Sequence, residues 1–457
     1  MKIALIISLF KNVPRLLNIL ALVMFRDALR PVTSQSQRKG YNTLNLHPRL
    51  EHPMTKFRIL IHLFALILIS LSACQTENSN TPLPVSPPTS QALVPATPLL
   101  QPTATPSTLE RYYIPAYYST FYGDIIIASQ KEEVLTLYSA ISEQKLHSLL
   151  SVFKEHYPWI TVSVVESDDS GVFQRYTEDL AIGQKTADLL ISADTGAWQK
   201  IIGEGQLITY QSQEGVYLPT WARSAIGIYA LASDPLLIVY NKTQVRERIS
   251  SMSQIAALNP TTYRGRILTL DAEANAVGFV SNWFYATFSG NAAWTMLRQI
   301  GATFPVLYTS SDELLLAVGE GQAAVGYFLP ASDVFPHLQE HPNLDWSYIK
   351  DGQPILVENM AITQGGESAN SAKLLVDFVL SQEGQMALAQ GGLTPYRPDV
   401  YDVTTLHIDR VGQEVGAENI IYFYLDPAIV QPVVREAFLA RWNQAIGKII
   451  PEATVTP

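Results

Sequence analysis

The chain has 457 residues, with 31 Lys and Arg against 41 Asp and Glu, a net charge of −10 and a single cysteine, Cys74. From residue 109 onward, 21 basic residues face 38 acidic ones, which excludes the basic face that nucleic acid requires and argues against docking on anionic lipid. One cysteine excludes a disulfide framework and a thiolate zinc site. In chain order, Lys56 and Arg58 precede an apolar run from Ile59 to Ser70 that ends in Leu71-Ser72-Ala73-Cys74. A basic start, a short apolar middle and a small-residue end read as a secretory signal. The run, roughly 13–15 residues, falls short of the roughly 20 needed to span a bilayer.

Residues 1–53 do not fit this pattern, because Lys11, Asn12, Pro14 and Arg15 interrupt their apolar stretches. Met54 stands directly before the charged start of the signal, so 1–53 is expected to be a wrongly chosen upstream extension and 54–73 the signal peptide. Leu-Ser-Ala-Cys resembles a bacterial lipobox. That resemblance implies lipidation of Cys74, which becomes the first residue of an exported, membrane-tethered protein. Residues 74–108 are rich in Pro, Thr and Ser and nearly uncharged, a linker too polar to form a core and stiffened by its prolines.

The rest, about 350 residues, suffices for two lobes. Val134 to Tyr138 is a strand, and Leu146, Leu149, Leu150 and Phe153 fall at the spacing of a buried helical stripe. Pro158 ends that helix. Ile160 to Val165 is a strand, Phe173, Tyr176 and Leu180 mark a helix, Asp188 to Ser192 is a third strand, and a helix runs through Trp198. This alternation predicts a parallel sheet covered by helices. Ala225 to Ala232 and Leu236 to Tyr240 are two strand-like runs that suit a crossover. A strand at 267–270, a long apolar helix from Phe279, helices near 291–300 and 312–320, and a strand at 323–328 follow. Ile355 to Ile362 reads as a return strand, and late helices carry Leu374 to Val379 and Val434 to Arg441.

TLYSA at 136–140, ADLLISADTGAWQKIIGEGQLITY at 187–210, LLIVYNK at 236–242, YRGRILTLD at 263–271 and the run at 372–400 resemble the extracellular solute-binding proteins of ABC transporters. The likeness is to the type 2 periplasmic-binding fold in its ferric-iron/organophosphonate-like branch. That resemblance implies an α/β fold of two lobes, mixed sheets flanked by helices and a ligand cleft between them. Lobe 1 would comprise 109–233 and 356–457, and lobe 2 would comprise 234–355. It implies a lipid-anchored protein that delivers a small solute to an ABC permease by lobe closure, or a sensing or scaffold protein of the same fold. The solute would be anionic or zwitterionic, such as a phosphonate or phosphate ester, in preference to ferric iron. Ferric-binding members use an adjacent tyrosine pair, whereas Tyr327 here is followed by Phe328.

Ligands in open parallel sheets sit beyond the carboxyl ends of strands. Candidate contacts there are Ser139, Ala140 and Ser142, then Ser192, Asp194 and Thr195, then Asn275 and Gly278, with Tyr327 and Asn359 added from the resemblance. Free N–H groups at the helix starts favour anionic oxygens; Ser142, Asp194 and Thr195 equally suit helix caps, and Asn275 and Gly278 suit a turn. Asp271 and Glu273 would suit a ligand ammonium or solvent. Bulky residues at Ser192 or Gly278 are expected to weaken solute binding without unfolding. No catalytic motif, cofactor or metal is expected, and His337 and His341, bracketed by Pro336 and Pro342, read as loop histidines.

Overall fold

The computed structural model describes residues 114–448. The expected upstream extension, signal peptide, Cys74 and the whole linker lie outside the described residues. In chain order the elements are α1 (Tyr122–Ser129), β1 (Val134–Ser139), α2 (Glu143–His156), β2 (Thr161–Glu166), α3 (Asp169–Ala181), β3 (Leu189–Ser192) and α4 (Thr195–Gly203). The long strand β4 (Ile228–Asn241) leads to α5 (Met252–Ala256), β5 (Ile267–Leu270), α6 (Ala276–Ser289), α7 (Asn291–Gly301), β6 (Val306–Tyr308), α8 (Ser311–Gly319) and β7 (Val325–Pro330). Then come α9 (Ala331–Glu340), β8 (Leu344–Ser347), β9 (Gln353–Ile362), α10 (Ala369–Leu380), α11 (Gln382–Gln390), α12 (Ile408–Val415), β10 (Ile420–Tyr422) and α13 (Pro432–Ile446).

The strands form one mixed sheet in the order β2-β1-β3-β9-β4-β7-β5-β6, with β10 beside β9 and β8 beside β4. β1 is parallel to β2 and β3, and β5 is parallel to β6 and β7, as the alternating strand and helix patterns predict. The two crossover runs are a single strand. Its first half, to Pro235, pairs antiparallel with β9, and its second half, from Leu236, pairs with β7 and β8. Proline donates no ladder hydrogen bond, so Pro235 suits the point where the partner changes.

Two large apolar cores flank this switch. The first gathers Leu135, Leu137, Leu149 and Phe153 with Leu375 and Phe378. The second gathers Leu237, Val239, Leu268, Phe284 and Leu297 with Phe438 and Trp442. The C-terminal helix α13 packs into the second of these cores through Phe438 and Trp442. Trp294 on α7 meets Phe438 edge-on at 5.5 Å between ring centres. A Cβ at Gly301 would lie 2.1 Å from the Ala445 carbonyl oxygen, so glycine permits the close approach of α7 and α13. Among the described residues no helix is long and apolar enough to cross a membrane.

Candidate functional site

The carboxyl end of the first-lobe sheet brings three predicted residues together. Ser139 ends β1, and Ser192 ends β3 in register with Asn359 on β9. All three are buried. Ser139 Oγ is engaged with the backbone of Ile141, and Ala140 N–H donates to the Ile191 carbonyl at 2.9 Å. Ser192 Oγ lies 2.9 Å from Asp169 Oδ1 and accepts from the Asp194 N–H at 3.0 Å. Asn359 accepts from Ser224 Oγ at 2.6 Å.

Three further candidates are helix caps. Ser142 caps α2, Asp194 caps α4 through the Gly196 and Ala197 N–H groups, and Asn275 caps α6 through the Gly278 N–H at 2.8 Å. Thr195 Oγ1, in the first turn of α4, is buried without a partner. Gly278 packs on the end of β5, where an added Cβ would sit 3.0 Å from the Asp271 carbonyl. Large residues at Ser192 or Gly278 would therefore disturb the core itself, because neither position opens onto free space. Tyr327 is fully buried in the second core, and burial pushes its phenol up. Asp271 and Glu273 share Lys448 at 2.8 and 2.7 Å. None of four surface cavities, of about 160 to 510 Å³, is lined by any of these predicted contacts.

The seam between the lobes carries charges that sequence reasoning missed. Lys145, on α2 of the first lobe, reaches Asp333 Oδ1 at 2.5 Å and Ser332 Oγ at 3.1 Å at the start of α9 in the second. Asp234, one residue before the partner switch, accepts from the Ser332 N–H at 3.2 Å. Glu358 on β9 is 8% exposed, and its Oε2 has no hydrogen-bond partner. Asp169, at the start of α3, accepts from the Ala193 N–H at 2.6 Å. Burial pushes Asp169 and Asp234 up to about 6 and Glu358 well above the carboxylate range, and the carboxylates repel one another. For Lys145, burial alone would lower the pKa, but Asp333, Asp234 and Glu358 raise it. Three carboxylates thus act on one ammonium, and the fourth, Asp169, acts on Glu358. The available sequence signal was a lone acid inside an apolar strand, as in Ile355 to Ile362.

A second part of the seam joins α4 to residues 427–430, where a Cβ at Gly196 would lie 3.5 Å from Ile429 Cγ2. Close by, the Arg435 guanidinium lies 3.8 Å from the ring centre of Phe279 in the first turn of α6. It makes no ion pair among the described residues, burial lowers its pKa, and Asp194 acts on it electrostatically.

Raised carboxyl pKa values make stability depend on pH. Asp169, Asp234 and Asp377 all sit at about 6 in the folded protein, from a usual 3.8. Well below pH 3.8 both folded and unfolded chains hold these protons. Between 4 and 6 the unfolded chain releases them first, so stability falls as pH rises. Thermal unfolding without solute is expected to show a midpoint roughly 3–6 °C higher at pH 5.5 than at pH 8. A midpoint that climbs with pH across this window would refute the assignment.

Residues 135–394, more than half of the chain, match the sequence pattern of a family described as bacterial extracellular solute-binding protein. No curated protein matches. Among solved structures, the chain is similar to the substrate-binding protein of an ABC transporter from Agrobacterium tumefaciens, with 22% identity, 70% of this chain and 96% of that chain covered and a TM-score of 0.62. AfuA from Actinobacillus pleuropneumoniae, a periplasmic binding protein solved with fructose-6-phosphate, shows 16% identity over 70% and 100% of the two chains, with a TM-score of 0.57. The spermidine/putrescine substrate-binding protein PotD from Streptococcus pneumoniae shows 14% over 69% and 100%, with a TM-score of 0.52. These likenesses establish the type 2 periplasmic-binding fold. With that match over residues 135–394, the chain belongs to the bacterial extracellular solute-binding protein family.

Proposed function

We propose that this protein captures a small zwitterionic solute between its lobes and delivers it to an ABC permease, held at the membrane by a lipid on Cys74. The solute's ammonium group is placed among Asp169, Asp234, Asp333 and Glu358. Its anionic group, a phosphonate, phosphate ester or carboxylate, is placed near Arg435 and the start of α4. The observation that carries this reading is the Glu358 Oε2 atom, a buried acceptor with no donor in a seam built from both lobes. An unpartnered buried polar atom costs about 1–3 kcal/mol, and an incoming N–H donor removes that cost. Charge at the seam disfavours a simple anion, since carboxylates outnumber the one lysine. Closure follows from differential affinity, because only a solute that touches both lobes favours their contact.

The test is calorimetry on the full chain with an aminoalkylphosphonate, an alkylphosphonate of the same length without the amine, a polyamine and a ferric salt. The aminoalkylphosphonate is expected to bind at least tenfold more tightly than its amine-free counterpart. Binding of the amine-free compound with equal affinity, or of the ferric salt alone, would overturn the proposed solute class.

A further inference from the structure

We infer that His337, Glu340 and His341 form a binding site for a divalent transition-metal ion, zinc being the best chemical match, at the far end of α9 from the lobe seam. Each of these side chains offers a ligand atom, and the three atoms lie within 4.8 Å of one another. The expected loop is instead helix. α9 runs through Pro336 to Glu340 and is closed by the His341 N–H donating to the His337 carbonyl at 2.9 Å. Pro336 lies inside the helix and removes the one N–H that would donate to the Ser332 carbonyl, and Pro342 restricts His341, where the helix ends. A spacing of four residues then puts both imidazoles on one face, with rings 6.0 Å apart and nearly parallel.

The wiring of His337 supports a ligand role. Its Nε2 lies 3.2 Å from Asp312 Oδ1, while its Nδ1 is buried with no partner. With the proton on Nε2 shared with a carboxylate, Nδ1 carries a free lone pair. A carboxylate behind a metal-binding histidine fixes the tautomer and raises the basicity of the ligand nitrogen. α8 supplies the backing for both rings. Asp312 lies in its first turn, and Gly319 in its last turn leaves room for His341, since a Cβ there would sit 2.7 Å from the imidazole Cγ. Those two positions are seven residues apart and share a face.

Two imidazoles and one carboxylate make a recognised zinc ligand set, with the fourth position left to water. Tetrahedral bonds of about 2.0–2.1 Å bring donors to about 3.3 Å from one another. The exposed Glu340 side chain and the half-buried His341 need only torsional movement to close that difference. The donors follow Asp333 on the same helix by one to two turns, and none of them is a seam residue.

Zinc chloride titrated into the full chain at pH 7.5 is expected to bind with one-to-one stoichiometry and micromolar affinity. Glu340→Gln should weaken that binding at least tenfold, and His337→Gln with His341→Gln should abolish it. Asp312→Asn should weaken it about threefold to tenfold while leaving stoichiometry unchanged. If the double histidine variant proves unstable, His341→Gln alone serves, because that ring is partly exposed. Absence of zinc binding up to 100 µM (about 10⁻⁴ M, below the range of a three-donor site), or equal affinity in these variants, would overturn the assignment.

Discussion

Replacement of Arg397 by methionine is expected to destabilise the protein by about 3–5 kcal/mol, the cost of breaking a buried ion pair on one side. Arg397 and Glu214 are both almost completely buried, 2.5 Å apart. The same guanidinium donates to the Leu380 carbonyl at 2.8 Å and to Asp399, and it lies 4.8 Å from the ring centre of Tyr217. Glu214 also accepts from the Tyr117 and Tyr118 hydroxyls at 2.6 and 2.7 Å. One carboxylate thus ties the start of the described chain, the loop before β4 and the segment after α11 into the first lobe. Without Arg397 the carboxylate keeps only two phenol donors in a site closed to water. Urea unfolding checks the size of the loss. The double change Arg397→Met with Glu214→Gln should recover part of it, since both buried charges then leave together. A loss below about 1 kcal/mol, with strictly additive single changes, would show the pair to be dispensable.

Glu358→Gln is expected to move stability and solute affinity in opposite directions. At pH 7.5 the folded protein bears the cost of a carboxyl group that burial holds well above its usual range. Glutamine removes that cost while keeping shape, so the unliganded protein should gain about 1–3 kcal/mol. At pH 4 the gain should vanish, because glutamate is then protonated in both the folded and unfolded chains. Affinity for an amine-bearing solute should fall roughly tenfold to a hundredfold, as expected for the loss of one buried charge-assisted contact. Thermal unfolding at the two pH values, with calorimetry on the same samples, reads both effects. A variant that binds as tightly as the parent protein would remove Glu358 from the solute site, and one that is less stable at pH 7.5 would make it a structural residue.

Much of the fold was legible along the chain. Leu146, Leu149 and Phe153 at helical spacing mark α2, and the β-branched runs at 134–138 and 160–165 mark β1 and β2, because backbone repeat and side-chain burial are locally coupled. The capping roles of Ser142 and Asp194 were equally local, whereas Asn275, which suits a turn, caps α6, and Thr195 lies in the first turn of α4. The crossover was visible as two runs, but its unity was not, since Asp234-Pro235 looks like a break unless both neighbouring strands are known. The contacts chosen at strand ends were only partly informative. Ser139, Ser192 and Asn359 do share one sheet edge, yet their polar atoms are spent on the protein itself.

The amino-acid order by itself determined the element types, the parallel halves and the N-caps, because each depends on residues within a few positions of one another. Tertiary structure alone decided where α13 docks, which acids face Lys145, and that His337 and His341 share a helical face backed by Asp312 and Gly319. Lys145 meets Asp333 across 188 residues and Asp234 meets Ser332 across 98. Electrostatic environment is set by such distant neighbours and by the water they exclude, and no periodicity in a chain encodes which strands will lie side by side.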